Sequence, residues 1–216
     1  MTAEVETIFL VDDDPPVVRA LERLLRAAGY EVRGFLTSQA FLEQHDPAVP
    51  GCAVLDIAID GTTGLELQRL LAASGCDRPI VFLTGRGDIP MSVRAMRAGA
   101  VSFLTKPVQA GELLEAIRFA LEGDRKARAA RGKLDAIERR VATLTSRERE
   151  VLRHVIAGRL NKQIAADLGT AEKTIKVHRG RVMEKMGARS VAELVRTCDQ
   201  AGITPADISN GDRHFL

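Results

Sequence analysis

The sequence predicts an α/β domain built on a five-stranded parallel sheet, followed by an all-α domain of four helices. Three observations carry that prediction. Within residues 1–122, short apolar runs alternate five times with amphipathic segments. From residue 145 onward every periodic segment has helical spacing. The charge also changes sign along the chain. Residues 1–124 hold 11 Lys and Arg against 18 Asp and Glu; residues 125–144 hold 7 against 2, and residues 145–200 hold 12 against 7. Strand–helix alternation implies a parallel sheet covered by helices on both faces. An acidic half joined to a basic half fits one domain that gathers cations and another that meets nucleic acid.

The strands are expected at about 7–11, 31–35, 52–56, 79–83 and 101–104, where runs such as TIFLV, CAVL and PIVFL stand. The helices between and after them are expected near 16–28, 38–45, 64–73, 90–98 and 110–122; Leu21, Leu24 and Leu25 show the helical period in the first. Five such units in about 120 residues suit the flavodoxin-like strand order 2-1-3-4-5. Residues 1–122 are therefore one domain. Residues 123–142 read as a helical linker in which Gly123 and Gly132 interrupt an Ala/Arg/Lys-rich run. Ala127, Ala130, Leu134, Ile137, Val141 and Leu144 follow the 3-4 spacing of a coiled-coil seam. That stripe lasts under three heptads, so a dimer seam and a linker helix resting on its own domain both remain open.

Residues 143–200 form the second domain. Thr145 with Glu148 is a capping box that starts a helix, whose apolar face is Val151, Leu152, Val155 and Ile156. Asn161 is expected to cap a second helix with Ile164, Ala165 and Leu168. A third helix over about 172–186 faces Ile175, Val182 and Met186 inward, and a fourth runs from Ser190 to about Gln200. Residues 201–216, with Pro205, Asn210 and Gly211, read as a flexible tail.

Composition narrows the class. Only 4% of residues are aromatic and Trp is absent, so the cores are aliphatic. No apolar run approaches the roughly 20 residues needed to span a bilayer. MTAEVET lacks the basic and apolar regions of a signal peptide. Cys52, Cys76 and Cys198 have no metal-ligand or redox spacing and read as reduced packing residues, which places the protein in the cytoplasm.

In an open parallel sheet the carboxyl ends of the strands form the edge where ligands bind. Asp12-Asp13-Asp14, Asp56, Thr84 and Lys106 each follow one of the predicted strands, so the topology gathers them there. Clustered carboxylates repel and need a cation; all-oxygen ligands favour a hard ion, Mg2+ or its stand-in Mn2+. An aspartate can take a phosphoryl group as an acyl phosphate, and a metal, an amine and a hydroxyl can stabilise the charge on the transferring oxygens.

FLVDDDPPV, VLDIAIDGTTGLEL, IVFLTGRGD and AGAVSFLTKPV, in this order over about residues 5–122, resemble the receiver domain of bacterial two-component response regulators. The resemblance implies that Asp56 accepts the phosphoryl group from a sensor histidine kinase. It implies Asp12 and Asp13 as the acidic pair, with Asp13, Asp56 and the backbone carbonyl of Ala58 as metal ligands. Thr84 and Lys106 would hold the phosphoryl oxygens, Thr84 and Phe103 would form the switch, and Lys106-Pro107 is a candidate cis peptide. Asp12-Asp13 directly follow the strand, leaving Asp14 to cap the next helix. Ile59-Asp60 stand where the family usually has Met-Pro, which adds a carboxylate beside the site.

A helix-turn-helix places its second helix in the major groove. The helix near 172–186 bears Lys173, Thr174, Lys176, Val177, His178, Arg179 and Arg181 on or near its outer surface. Long cationic donors suit guanine edges and phosphates, and Val177 suits a thymine methyl. Asn161 and Lys162, at the start of the preceding helix, suit backbone phosphate. LTSREREVLRHVIAG, LNKQIAADLG, AEKTIKVHRGRVMEKMGARS and AELVR, over about 143–198, resemble the LuxR-type DNA-binding domain. That resemblance implies Lys176 and Val177 toward bases, with fewer base contacts at Gly180 than in relatives with longer side chains.

Together the halves resemble the FixJ branch of response regulators. The implied protein is a transcription regulator rather than an enzyme. Its partners would be a histidine kinase, double-stranded promoter DNA, RNA polymerase and, on activation, a second copy of itself, with no membrane. Two other readings stand beside it. One keeps the DNA domain and treats the first domain as a phosphorylation-independent dimerisation module. The other is an aspartyl-phosphate phosphatase on Asp60-Gly61-Thr62, whose motif needs an Asp where Ala58 stands.

Overall fold

The computed structural model describes residues 6–59, 62–85 and 89–206. By contacts the chain divides into two units, residues 1–128 and 129–216. In the first, β1 (Thr7–Val11), α1 (Pro15–Ala27), β2 (Glu31–Phe35), α2 (Ser38–Gln44) and β3 (Gly51–Asp56) are followed by a small hairpin of β4 (Ala58–Ile59) and β5 (Thr62–Thr63). Then come α3 (Gly64–Ala73), β6 (Ile80–Thr84), α4 (Ile89–Arg97), β7 (Ser102–Thr105) and α5 (Ala110–Ala142). The main sheet has the order β2-β1-β3-β6-β7 with every pair parallel. With the hairpin set aside this is the expected 2-1-3-4-5 order.

Strand periodicity builds a core on each face of the sheet. Phe9, Val11, Leu55 and Phe82 join Phe41, Leu67 and Leu71 on one face. Ile8, Leu10, Val54 and Leu83 join Leu25, Leu113, Ile117 and Leu121 on the other. β1, β3 and β6 are buried along their whole length, as central parallel strands are.

The helix expected to stop near 122 does not stop there. α5 is one helix of 33 residues and runs through both Gly123 and Gly132. A helical glycine costs only about 1 kcal/mol relative to alanine, and the neighbouring Arg, Lys, Ala and Glu are strong helix formers. The i,i+4 pairs Glu122–Lys126 and Asp124–Arg128, at 2.7 and 2.8 Å, add to them. The 123–142 linker is thus the second part of α5, and its residues up to Arg128 pack with the first unit. The seam-like stripe divides too. Ile137, Val141 and Leu144 enter the core of the second unit, while Ala127, Ala130 and Leu134 are exposed.

The second unit adds α6 (Ser146–Ile156), α7 (Asn161–Asp167), α8 (Glu172–Met186) and α9 (Val191–Gln200) around Val151, Leu152, Ile164, Ile175, Val182, Met186 and Leu194. The capping box at Thr145 forms as expected: Glu148 Oε2 accepts from the Thr145 amide at 2.9 Å, and Lys185 Nζ donates to the same oxygen at 2.6 Å. That lysine holds the Glu148 carboxyl, with the Thr145 amide, down at about 2. Asn161 is not the cap of α7. Leu160 holds that position, because Gln163 Oε1 reaches back to the Leu160 amide at 2.8 Å. The first residues of the expected tail are tied down. Ala206 donates its amide to the Arg153 carbonyl at 3.0 Å, and Arg153 Nε donates to the Thr204 carbonyl at 3.3 Å, tying 201–206 to α6. Residues 207–216 lie outside the described residues. Among the described residues no helix is long and apolar enough to cross a membrane.

Candidate functional site

The carboxyl ends of β1, β3 and β6 bring Asp12, Asp56 and Thr84 together, and the turn after β7 adds Lys106. Asp12 and Asp56 are buried and Asp13 is exposed, yet one carboxylate oxygen of each lies within 4.8 Å of the others. Lys106 bridges two of them: Nζ is 2.6 Å from Asp12 Oδ2 and 3.2 Å from Asp56 Oδ2. The other Asp56 oxygen accepts from the Ile57 amide at 2.8 Å, and the other Asp12 oxygen from the Asp14 amide at 3.1 Å. Burial pushes the Asp56 carboxyl above its usual range; Lys106 opposes that shift and the Asp12 charge adds to it. Burial draws the Lys106 ammonium down, but its hydrogen bond to Asp12 and the two carboxylate charges outweigh it, so it titrates above an ordinary lysine.

Thr84 is buried at the end of β6, and its carbonyl accepts from the Lys106 amide at 2.7 Å. The Lys106-Pro107 peptide is cis. Phe103 is half-buried, its ring 6.5 Å from that of Phe82 and tilted 53° to it. Ala58 opens β4, two residues past Asp56, where it pairs with Thr63. Asp14 is the N-cap residue of α1 by its backbone, but its side chain makes no capping hydrogen bond. Of the Ile59-Asp60 departure from the family loop, Ile59 ends β4 and Asp60 lies outside the described residues.

This donor set suits a hard divalent cation. Three carboxylates offer only oxygen, and one half-buried ammonium cannot neutralise all three. The sequence reading missed the support behind the site. A Cβ on Gly64 would lie 2.3 Å from the Asp56 carbonyl oxygen, so only glycine lets the start of α3 approach this closely. Thr63 caps α3 through a reciprocal box with Glu66. The box is legible as T-G-L-E, so its signal was present in the sequence.

The predicted DNA face is α8. Lys173, Thr174, Lys176, Val177 and Arg181 are exposed on it, as is Lys162 on α7. Val177 leaves 49% of its surface in solvent. His178 and Arg179 are half-buried. Arg179 Nη1 donates to Asn161 Oδ1 at 3.1 Å, so these two predicted contacts hold each other.

Comparisons agree with both halves. Residues 8–118 match the response regulator receiver domain, and residues 142–198 match the bacterial regulatory proteins of the luxR family. Nodulation protein W of Bradyrhizobium diazoefficiens is 45% identical over 197 residues, 91% of this chain and 87% of that protein. FixJ of Azorhizobium caulinodans, a transcriptional regulatory protein, is 38% identical over 93% of this chain and 95% of its own. The solved structure of the response regulator StyR is 47% identical, covers 90% of this chain and 98% of that one, and superposes with a TM-score of 0.86. The chain therefore belongs to the FixJ-like response regulators, in which a receiver domain precedes a LuxR-type DNA-binding domain.

Proposed function

We propose that phosphorylation of Asp56 by a sensor histidine kinase in the cytoplasm controls dimerisation and promoter binding by this chain. The observation that carries the reading is the buried Asp12–Lys106–Asp56 cluster beside Asp13. Asp56 presents its Oδ2 at the sheet edge while the Ile57 amide holds Oδ1. That oxygen bonds to phosphorus as the P–N bond of the donor phosphohistidine breaks; the imidazole leaves with the electron pair and takes up a proton. Asp12, Asp13, Asp56 and the Ala58 carbonyl would hold Mg2+ or Mn2+, which supplies charge neutralisation to the phosphoryl oxygens. Lys106 exchanges one carboxylate partner for a phosphoryl oxygen. Thr84 offers its hydroxyl to another, and the half-buried Phe103 follows it inward.

The second domain then presents α8 to the major groove, with Lys176 and Val177 toward bases. Lys162, Lys173, Thr174, His178 and Arg181 meet phosphates, and Asn161 steadies Arg179. Two copies would bind half-sites about one helical turn apart and contact RNA polymerase. The test is phosphoryl uptake from acetyl phosphate with Mg2+, followed by intact mass. The native chain is expected to gain one phosphoryl group and Asp56→Asn none. Equal uptake by both, or uptake by neither, would overturn the reading.

A further inference from the structure

The far end of the strand that carries Asp56 is gripped by the linker helix. β3 runs from Gly51 to Asp56 with all 6 residues buried. At its start the Gly51 amide donates to Asp124 Oδ2 at 3.2 Å, and Asp124 is itself only 7% exposed. The same oxygen accepts from Arg128 Nε at 2.8 Å. Arg128 then caps the loop that leads into β3: Nη1 donates to the Ala48 carbonyl at 3.0 Å, and Nη2 to the Pro47 and Val49 carbonyls at 3.1 Å each. Arg78 holds the loop from inside through the Asp46 and Val49 carbonyls, at 2.7 and 3.1 Å. Gly51 admits no alternative, since a Cβ there would lie 1.8 Å from the Thr7 carbonyl oxygen.

Within the first unit, apolar packing secures α5 only as far as Leu113, Ile117, Ala120 and Leu121. Glu122, Gly123, Arg125, Lys126 and Ala127 are exposed. The hold on residues 123–128 is therefore polar, made by Asp124, Arg128 and the Arg125–Glu6 pair at 2.6 Å. Each such charge-assisted bond contributes about 2 kcal/mol net of water, and a segment held by polar contacts without an apolar core of its own is the kind that opens locally while the sheet stays folded.

We propose that Asp124 and Arg128 form a latch that joins the start of the Asp56 strand to the linker helix, and that the state of this latch carries the phosphorylation signal into residues 129–142. The proposal rests on Asp56 as phosphoacceptor. Strand and latch share one rigid, buried segment, so a shift of the Asp56 backbone reaches Gly51 and its bond to Asp124. The latch positions the output helix and touches neither phosphoryl group nor DNA.

The experiment compares the full-length native chain with Asp124→Asn, Arg128→Ala and the milder Arg128→Lys, with Lys126→Ala as control. Three quantities are read: phosphoryl uptake from acetyl phosphate, amide exchange over 45–51 and 123–128, and affinity with and without phosphorylation. The affinity probe is a duplex that the phosphorylated native chain selects from a random library. The latch variants are expected to take up phosphoryl at the native rate and to exchange faster over both segments together. Their phosphorylated-to-unphosphorylated affinity ratio falls about five-fold or more, the low end of ordinary coupling. Arg128→Lys moves the same way by less, and Lys126→Ala leaves uptake, exchange over 45–51 and the affinity ratio unchanged. An unchanged affinity ratio alongside faster exchange overturns the proposal, as does unchanged exchange over 45–51. Absent uptake by the native chain overturns the phosphoacceptor reading, a separate failure that takes the signalling role of the latch with it.

Discussion

Asp12 and Lys106 are 94 residues apart in sequence and 2.6 Å apart in space, both brought to one sheet edge, where Asp12 is withdrawn from water and Lys106 is half-buried. Lys173, Lys176 and Arg181 lie on a single helix, α8, and stand in solvent. The first site is made by topology: moving one strand end would move a buried charge away from its partner. The second is made by local sequence: the helix needs only Ile175, Val182 and Met186 against its core to aim the rest outward. Charges in the first site act in a low dielectric, where losing one partner is expensive. Charges in the second act through screened water, where each is worth little alone and the sum is felt as affinity for a polyanion.

That contrast breaks most visibly at Lys106. Replacing it in Lys106→Met leaves Asp12, wholly buried, without its ammonium, which costs about 3 kcal/mol of stability. Millimolar Mg2+ is expected to restore part of the lost melting temperature, because the cation replaces the missing charge. Phosphoryl uptake should fall about 100-fold, as removal of one stabilising donor does in other transfer sites. A thermal melt with and without Mg2+ checks the first claim and a time course by intact mass the second. On the exposed face, Arg181→Ala should weaken binding to all duplexes alike by about ten-fold and lower the salt slope by about 1, with no change in melting temperature. A sequence-selective loss at Arg181 would show that it reads a base.

A smaller effect sharpens the comparison from within the DNA-binding domain, where Glu148 is the buried exception. Its folded value of about 2 lies below the ordinary 4.5, chiefly through Lys185. A depressed carboxyl stabilises above the unfolded value, and that contribution disappears as pH falls through the folded one. Glu148→Gln should therefore melt below the native chain at pH 7, with the gap closing between about pH 4.5 and 2.

Sheet order, helix spans in the second domain and the convergence of Asp12, Asp13, Asp56 and Lys106 were legible because alternation, capping residues and parallel topology leave few arrangements. Gly123 and Gly132 misled, since glycine signals a break only when nothing else holds the helix; here Asp124 accepts from the Gly51 amide and Arg128 donates to loop carbonyls, backbone partners that carry no side-chain signature. Asn161 misled for a related reason: Gln163, two residues on, moved the cap back to Leu160. The close approach of Gly64 to Asp56 has no local sequence cue, because it depends on where α3 comes to rest.

β3 also carries a thiol. Cys52 follows Gly51, is wholly buried against Ile8, and is pushed up to about 12 by that burial. Alkylating reagents need a thiolate in contact with solvent, so Cys52 is silent while the strand stays closed. Iodoacetamide modification at Cys52, resolved by peptide mapping from the buried Cys76 and Cys198, then becomes a stopwatch on the strand itself. It counts how often the segment ending at Asp56 parts from its neighbours. Slower labelling with Mg2+ would show that filling the acidic edge quiets the opposite end.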